Sequence, residues 1–368
     1  MTGGTFLGPL SAGLGVLWPF GHAPRWDFER HPRLDRVGGV PRLRLDGDDT
    51  ARGRAHGEAA APQILALFEH ALRPFLGSPR TSARFRSVAR RYAEHLRDDE
   101  RAEMAAIAAA AGVEEERVLL GNTFVDAHKV VLCSTVITRD RATGRRLIGR
   151  NLDFPCLGIA HRLSLVTTHA PAGALRHATI GWPGLAGAFS GLNEAGVGLF
   201  VNLAYGADDC DDGLPVVFHV RRVLRAARDL DDVEAILRDA PHATANNLTA
   251  ADRSGRAAIF EVGPAWFRRR DADEGGFACA TNHFLPPGRA RVSPLGVTSR
   301  FRVAALCRHP ARSRAGVRRA LRRVGIPFMN LQSMILDPQA RAIDVSVGSF
   351  AAARRAPVTF GPRELRFG

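Results

Sequence analysis

The sequence predicts an α+β layered domain, and three observations carry that prediction. Helical periodicity dominates from His56 to about Ala111. After Cys133 it gives way to short β-rich runs, and two helical stretches interrupt those runs before strand-like sequence returns. Strands, helices and strands again, in one chain, fit sheets covered by helices.

Taken in order, the elements begin weakly. Phe6 to Phe20 is apolar but broken by Gly and Pro, lacks the basic start of a secretory signal and is too short to span a bilayer. Residues 1–44 therefore read as a poorly defined leader, and no stable membrane insertion is expected. In the helical block, apolar residues fall at Ile64, Leu65, Leu67 and Phe68, then Leu72 and Phe75, and later Met104, Ala105 and Ile107. Pro74 and Gly77-Ser78-Pro79 divide it, and Asp98 and Asp99 stand where they can cap its last helix. Strand-like runs follow at Leu147 to Ile148, Leu163 to Thr168, Ala178 to Ile180, Gly198 to Val201 and Ala257 to Val262. Helices are expected over about Val216 to Ala227 and Asp231 to Arg238, the second opened by Asp231 and Asp232. No G-x-G-x-x-G follows a strand and no Walker lysine motif occurs, so nucleotide-binding folds lack support.

Composition narrows the function classes. A chain of 368 residues with 45% apolar and 24% charged content is an ordinary globular protein able to bury a large core. A net charge of +14 raises nucleic acid or an anionic surface as a partner. Against that, Lys129 is the only lysine, the arginines are scattered, and aromatic interleaving is missing, so no nucleic-acid partner is expected. The arginine runs Arg221 to Arg228 and Arg312 to Arg323 read as solvated helix faces. The cysteines, Cys133, Cys156, Cys210, Cys279 and Cys307, are odd in number with no C-x-x-C pair, which suggests neither a disulfide framework nor a zinc site. A reduced, cytoplasmic setting fits best, with export as the alternative. Four of the five cysteines need no role beyond packing.

Cys133 opens the stretch CSTVITRDRATGRRLIGRNLDF, which reads as a hairpin. Its turn signal is Ala142-Thr143-Gly144, and a pairing centred on residue 143 sets Cys133 opposite Asp153 on one face of the sheet. A slip of one residue would break that placement. Strand alternation puts Thr135 on the face of Cys133 and Arg150 on the face opposite Asp153.

Five segments carry a family resemblance: ARGRAHGE (Ala51 to Glu58), CSTV (Cys133 to Val136), GRNLDF (Gly149 to Phe154), GLNEAGVGLFVN (Gly191 to Asn202) and TNHF (Thr281 to Phe284). In order and spacing, over roughly residues 45 to 350, the chain resembles the acyl-coenzyme A:6-aminopenicillanic acid acyltransferase family of N-terminal-nucleophile amidohydrolases. It is more distantly similar to acid ceramidase and bile-salt hydrolases. The resemblance implies a four-layer αββα sandwich, with residues 45–132 as a helical pro-segment and residues 133–368 as the catalytic domain. It also implies self-cleavage between Leu132 and Cys133, where the family often has glycine in place of Leu132.

Under that resemblance, Cys133 is the nucleophile and its freed α-amine the base. An amine of pKa about 7.7–8 can take a proton from a thiol of pKa about 8.5 near neutral pH. Asp153 matches the aspartate that orients the amine. Asn282 fits an oxyanion donor. His283 beside it is not required as a base. Arg150 either binds a substrate carboxylate or is structural, and Asn151 either donates a hydrogen bond or is structural. By position alone, Thr135 is either a hydrogen-bonding group near the nucleophile or a structural strand threonine, Asn202 at the end of GVGLFVN is a candidate to line the pocket, and Asn193 in the preceding turn reads as structural. Ser299 and Arg300, in TSRFR, resemble the family's later Ser/Arg element. The expected activity is hydrolysis or acyl transfer on a linear non-peptide C–N amide through an acyl-thioester on Cys133, with a small-molecule acyl amide or acyl thioester as partner and no metal or organic cofactor. Two rivals stay open: a catalytically silent relative used as a binding protein, and a basic surface binder whose association collapses with salt. Assembly into a homo-oligomer is also left open.

Overall fold

The computed structural model describes residues 24–155, 159–206, 208–285 and 296–367, so the apolar stretch Phe6 to Phe20 and Cys156 lie outside the described residues. The chain enters through strands β1 (Leu34–Val37) and β2 (Val40–Gly47). Helices follow as α1 (Asp49–Leu67), a π-helical turn (Phe68–Leu72), α2 (Arg73–Leu76), α3 (Pro79–Glu94), α4 (Asp98–Ala111) and α5 (Glu115–Ala127). Then come β3 (Leu132–Arg139), β4 (Arg146–Asp153), β5 (Leu165–Pro171), β6 (His177–Gly181), β7 (Ser190–Asn193) and β8 (Gly198–Leu203). Helices α6 (Val216–Ala226) and α7 (Leu230–Asp239) precede β9 (Asn246–Ala251), β10 (Ala257–Gly263), β11 (Trp266–Asp271) and β12 (Ala278–Ala280). The chain closes with α8 (Gly296–Arg308), α9 (Arg314–Val324), β13 (Asn330–Asp337), β14 (Ala342–Val347), β15 (Val358–Phe360) and α10 (Pro362–Leu365).

These strands form a nine-stranded sheet, β1-β2-β5-β6-β7-β8-β9-β10-β11, and a six-stranded sheet, β12-β3-β4-β13-β14-β15. Side-chain alternation sorts the residues into layers. On β8, Phe200 points to the other sheet, while Leu199 and Val201 meet Val220 and Leu224 of α6. On β3 and β4, Ile137 and Ile148 point between the sheets, while Val136 and Leu147 meet Leu306 of α8 and Val317 and Leu321 of α9. The result is four layers, helix, sheet, sheet, helix: the αββα sandwich.

Residues 34–44, expected as an ill-defined leader, instead belong to the larger sheet, and the boundary placed after residue 44 falls inside β2. Leu34, Leu43 and Leu45 are buried with Leu165 of β5 and Ala55 and Ala59 of α1, and β2 pairs in parallel with β5. Helix α5 escaped the periodicity reading because buried Asn122, Thr123 and Asp126 interrupt its apolar stripe.

The motif ARGRAHGE has a packing cause. A Cβ on Gly53 would lie 2.3 Å from the Glu103 carbonyl oxygen of α4, and one on Gly57 would lie 2.6 Å from that of Ile107. The two glycines thus let α1 and α4 touch backbone to backbone. Within the same motif Arg52, 1% exposed, donates to Glu103. Nearby, two members of the first arginine run depart from the expected solvated face. Arg221 pairs with Asp49 and Glu103, and Arg222 with Glu100, with all these side chains more buried than exposed. Their acidic partners come from α1 and α4, more than a hundred residues away, so the run looked unpaired in sequence.

Candidate active site

The hairpin forms, with its register one residue from the expected one. Cys133 pairs with Leu152, and Leu132 pairs with Asp153. The connection between Arg139 and Arg146 has six residues, so its centre falls between residues 142 and 143 and not on Thr143. That half-step moves every pair by one. Asp153 consequently does not face the Cys133 side chain. Arg150 does: it pairs with Thr135, shares the inner face with Cys133, and donates from Nη2 to Cys133 Sγ at 3.1 Å.

Arg150 is fully buried, and its Nη1 donates to the Phe189 carbonyl at 3.0 Å and to Ser190 Oγ. Its expected alternatives were a substrate carboxylate or a structural role; the geometry adds a direct contact to the thiol. Burial pushes the Cys133 thiol above its ordinary pKa, and the Arg150 guanidinium opposes that rise.

The peptide groups on either side of Cys133 are held as well. Cys133 N–H donates to Asn282 Oδ1 at 2.9 Å, and the Cys133 carbonyl accepts from Arg302. Arg302 also donates to Ser134 Oγ at 2.8 Å and to Asn282 Oδ1 at 2.8 Å. The Asn282 amide donates to the carbonyls of Leu203 at 2.7 Å and Val131 at 3.5 Å. Asn282 is itself positioned by Ser299, whose Oγ accepts the Asn282 N–H at 2.8 Å and also meets Thr281 Oγ1 and His283 Nδ1 at 2.7 Å each. His283 therefore belongs to the support behind Asn282.

Sequence reasoning singled out Ser299 with Arg300 and passed over Arg302. On α8 successive side chains turn by about 100°, so Ser299 and Arg302, three apart, share the buried face while Arg300 turns away. Arg300 is exposed and Arg302 is 6% exposed. Reading TSRFR as a helix, with its i, i+3 spacing, would have found Arg302. Among the described residues neither Arg150 nor Arg302 makes an ion pair within 4 Å, and the two buried guanidinium groups meet at Cys133. Lys129, also unassigned from sequence, ties the segment entering β3 to Asp209 at 2.7 Å and to the carbonyls of Ala204 and Ala245.

Asp153 stands on the outer face beside Asn151, whose amide donates to the Leu321 carbonyl at 2.7 Å. Asp153 Oδ1 accepts from Asn330 at 2.9 Å and from the Ile326 N–H at 3.4 Å, while its buried Oδ2 has no partner among the described residues. Burial raises its carboxyl from 3.8 to about 7, with Arg302 opposing. An acid with a raised folded pKa stabilises the fold fully below its unfolded value, and that contribution is lost as pH rises through about 7. In a Cys133→Ala background, Asp153→Asn is thus expected to gain about 2–3 kcal/mol over its parent between about pH 5 and about pH 8. Urea unfolding at the two pH values checks this, and a pH-independent difference would refute it.

Asn202 and Thr135 meet across the sheets: the Asn202 amide donates to Thr135 Oγ1 at 3.3 Å, and Thr135 reaches Thr249 at 2.9 Å. Buried Asn202 Oδ1 has no partner among the described residues. Asn193 is remote from the site, bonding the carbonyls of Leu224 and Ala227. No sequence signal pointed to a mostly apolar pocket lined by Phe68, Leu72, Phe124, Val131, Phe154 and Trp182 among others, with Arg117 also in the lining. Val131 and Phe154 flank the two ends of the hairpin that carries Cys133 and Asp153. Among the described residues no group of three or more His, Cys, Asp or Glu is arranged to hold a metal, and no helix is long and apolar enough to cross a membrane.

Comparison with known proteins adds the following. The family model for acyl-coenzyme A:6-aminopenicillanic acid acyl-transferase matches residues 140–313. No curated protein matches the chain in sequence. Among solved structures, an N-acylethanolamine-hydrolyzing acid amidase ortholog of Caenorhabditis elegans is 13% identical over 56% of this chain and 93% of that one, with a TM-score of 0.42. Penicillin V acylase of Agrobacterium tumefaciens is 13% identical over 59% and 83%, with a TM-score of 0.41. A variant of conjugated bile acid hydrolase of Clostridium perfringens is 11% identical over 63% and 93%, with a TM-score of 0.44.

Proposed function

Because the chain resembles the acyl-coenzyme A:6-aminopenicillanic acid acyltransferase family, we propose that it is the precursor of a cysteine amidohydrolase or acyltransferase that cuts itself between Leu132 and Cys133. The observation that carries the reading is the triple hold on Cys133: its Sγ by Arg150, its N–H by Asn282 and its carbonyl by Arg302.

In the precursor, Cys133 Sγ attacks the Leu132 carbonyl, and the Cys133 nitrogen departs from that carbon with the thiol proton, becoming the free α-amine as the thioester forms. Water then hydrolyses the thioester, releasing the Leu132 carboxyl and returning the Cys133 thiol. The amine stays beside Asn282 Oδ1, which already accepts its hydrogen. In the cut enzyme the amine takes the thiol proton, and Sγ attacks the substrate acyl carbon. Release of the Val131 end leaves the Asn282 amide free to donate to the developing oxyanion. The two guanidinium groups stabilise the thiolate and the tetrahedral anion. The proton returns to the leaving amine, and water or a second amine takes the acyl group from the thioester.

The mostly apolar pocket is lined in part by Val131 and Phe154, next in sequence to the strands that carry Cys133 and Asp153, which suits an apolar acyl group. A panel of acyl amides of rising chain length, read by amine release, tests the substrate class. Turnover should rise with acyl apolarity and vanish in Cys133→Ala. Equal inactivity of the wild type on all members, or turnover that survives in Cys133→Ala, would defeat the proposal.

A further inference from the structure

Two cysteines outside the catalytic site stand together. Cys279 Sγ on β12 lies 3.4 Å from Cys307 Sγ on α8, 28 residues away in sequence. Cys279 is buried in the apolar layer with Val136, Val303 and Leu306, whereas Cys307 is exposed. Both are free thiols. Each occupies an element that supplies the site: β12 leads within three residues to Asn282, and α8 carries Ser299 and Arg302.

We propose that Cys279 and Cys307 form an oxidant-dependent disulfide that clamps α8 to β12. The inference goes beyond the catalytic reading and does not depend on it. Hydrogen peroxide is the oxidant. The Cys307 thiolate attacks one peroxide oxygen, the O–O bond breaks, and the departing hydroxide takes up the proton the thiol had released, giving water and a Cys307 sulfenic acid. Cys279 sulfur then attacks the Cys307 sulfur, the S–O bond breaks, and a second water leaves with the Cys279 proton. Overall two thiols lose two electrons and two hydrogens, and one peroxide becomes two waters. Exposure selects Cys307 for the first step, and burial raises the Cys279 thiol above its ordinary pKa, which leaves it the resolving partner.

The crosslink closes the chain between the strand that leads to Asn282 and the helix that holds Arg302 against the Cys133 carbonyl. A closed loop of this length lowers the entropy of the unfolded chain, so the oxidised protein melts higher.

The test uses the full chain carrying Cys133→Ala, so that neither cleavage nor the catalytic thiol enters the result. After peroxide treatment and alkylation, non-reducing peptide mapping should give a Cys279-Cys307 linked pair lighter by two hydrogens than the separate peptides. Tm should rise by a few degrees and fall back on reduction. Both effects should vanish in Cys307→Ser, a change at an exposed position that leaves the fold intact. Oxidation of Cys307 to sulfinic acid with Cys279 still free, or a crosslink without a rise in Tm, would overturn the proposal.

Discussion

Purified wild-type protein is expected to contain one fragment ending at Leu132 and one beginning at Cys133, while Cys133→Ala stays a single chain. The effect is all or none because a thiol is the only nucleophile this route offers the Leu132 carbonyl, and alanine supplies none. Removal of Sγ leaves Arg150 Nη2 without its buried acceptor, at a cost of about 1–3 kcal/mol. A domain of this size tolerates such a loss, so the variant folds and its failure to cut reports chemistry. Intact mass and N-terminal sequencing of both proteins, with thermal melts alongside, check the result. A wild-type chain that remains whole under native conditions would remove the α-amine as base and would favour a silent relative acting as a binding protein.

Arg302→Ala is expected to slow that cleavage by about 10²–10³, as loss of one fixed donor does in oxyanion sites. Arg302 alone links the Cys133 carbonyl, Ser134 Oγ and Asn282 Oδ1, so its removal loosens the peptide that follows the scissile bond and takes one of two donors from the asparagine oxygen that holds the scissile N–H. Each acceptor left unsatisfied costs about 1–3 kcal/mol, with incomplete additivity. Arg302→Lys restores the charge without the planar fork and should recover part of the rate. Arg300→Ala should cut at nearly the wild-type rate, since Arg300 is exposed on the other side of α8. The time course of precursor loss by intact mass separates the three. Equal impairment of the Arg300 and Arg302 variants, or cleavage of Arg302→Ala at the wild-type rate, would sink the assignment.

Wherever local chemistry announces itself, the site was legible in the sequence. Cys133 opening a hairpin and the turn around Gly144 are local signals, Asn282 came from the resemblance of TNHF, and the structure brings Cys133 to Asn282 at 2.9 Å. Arg302 was missed because helix phase, not adjacency, selects the inward side chain of TSRFR. The hairpin register went wrong because a turn signal locates a loop without counting its residues, and one residue decides whether Arg150 or Asp153 faces the thiol.

By itself the sequence determined the α+β class, the hairpin that begins at Cys133, and the identity of the nucleophile candidate. The class and the hairpin follow from periodicity and turn residues, each readable within about twenty residues, whereas the nucleophile candidate rested on the family resemblance of the segments around Cys133. The tertiary structure alone decided that residues 34–44 join the larger sheet, that α1 and α4 close on Gly53 and Gly57, and that Arg150 and Arg302 converge on Cys133. It also brought Cys279 beside Cys307. The physical reason is common to all four: burying a charged or apolar group requires partners supplied by distant segments, and only the packed layers determine which segments those are.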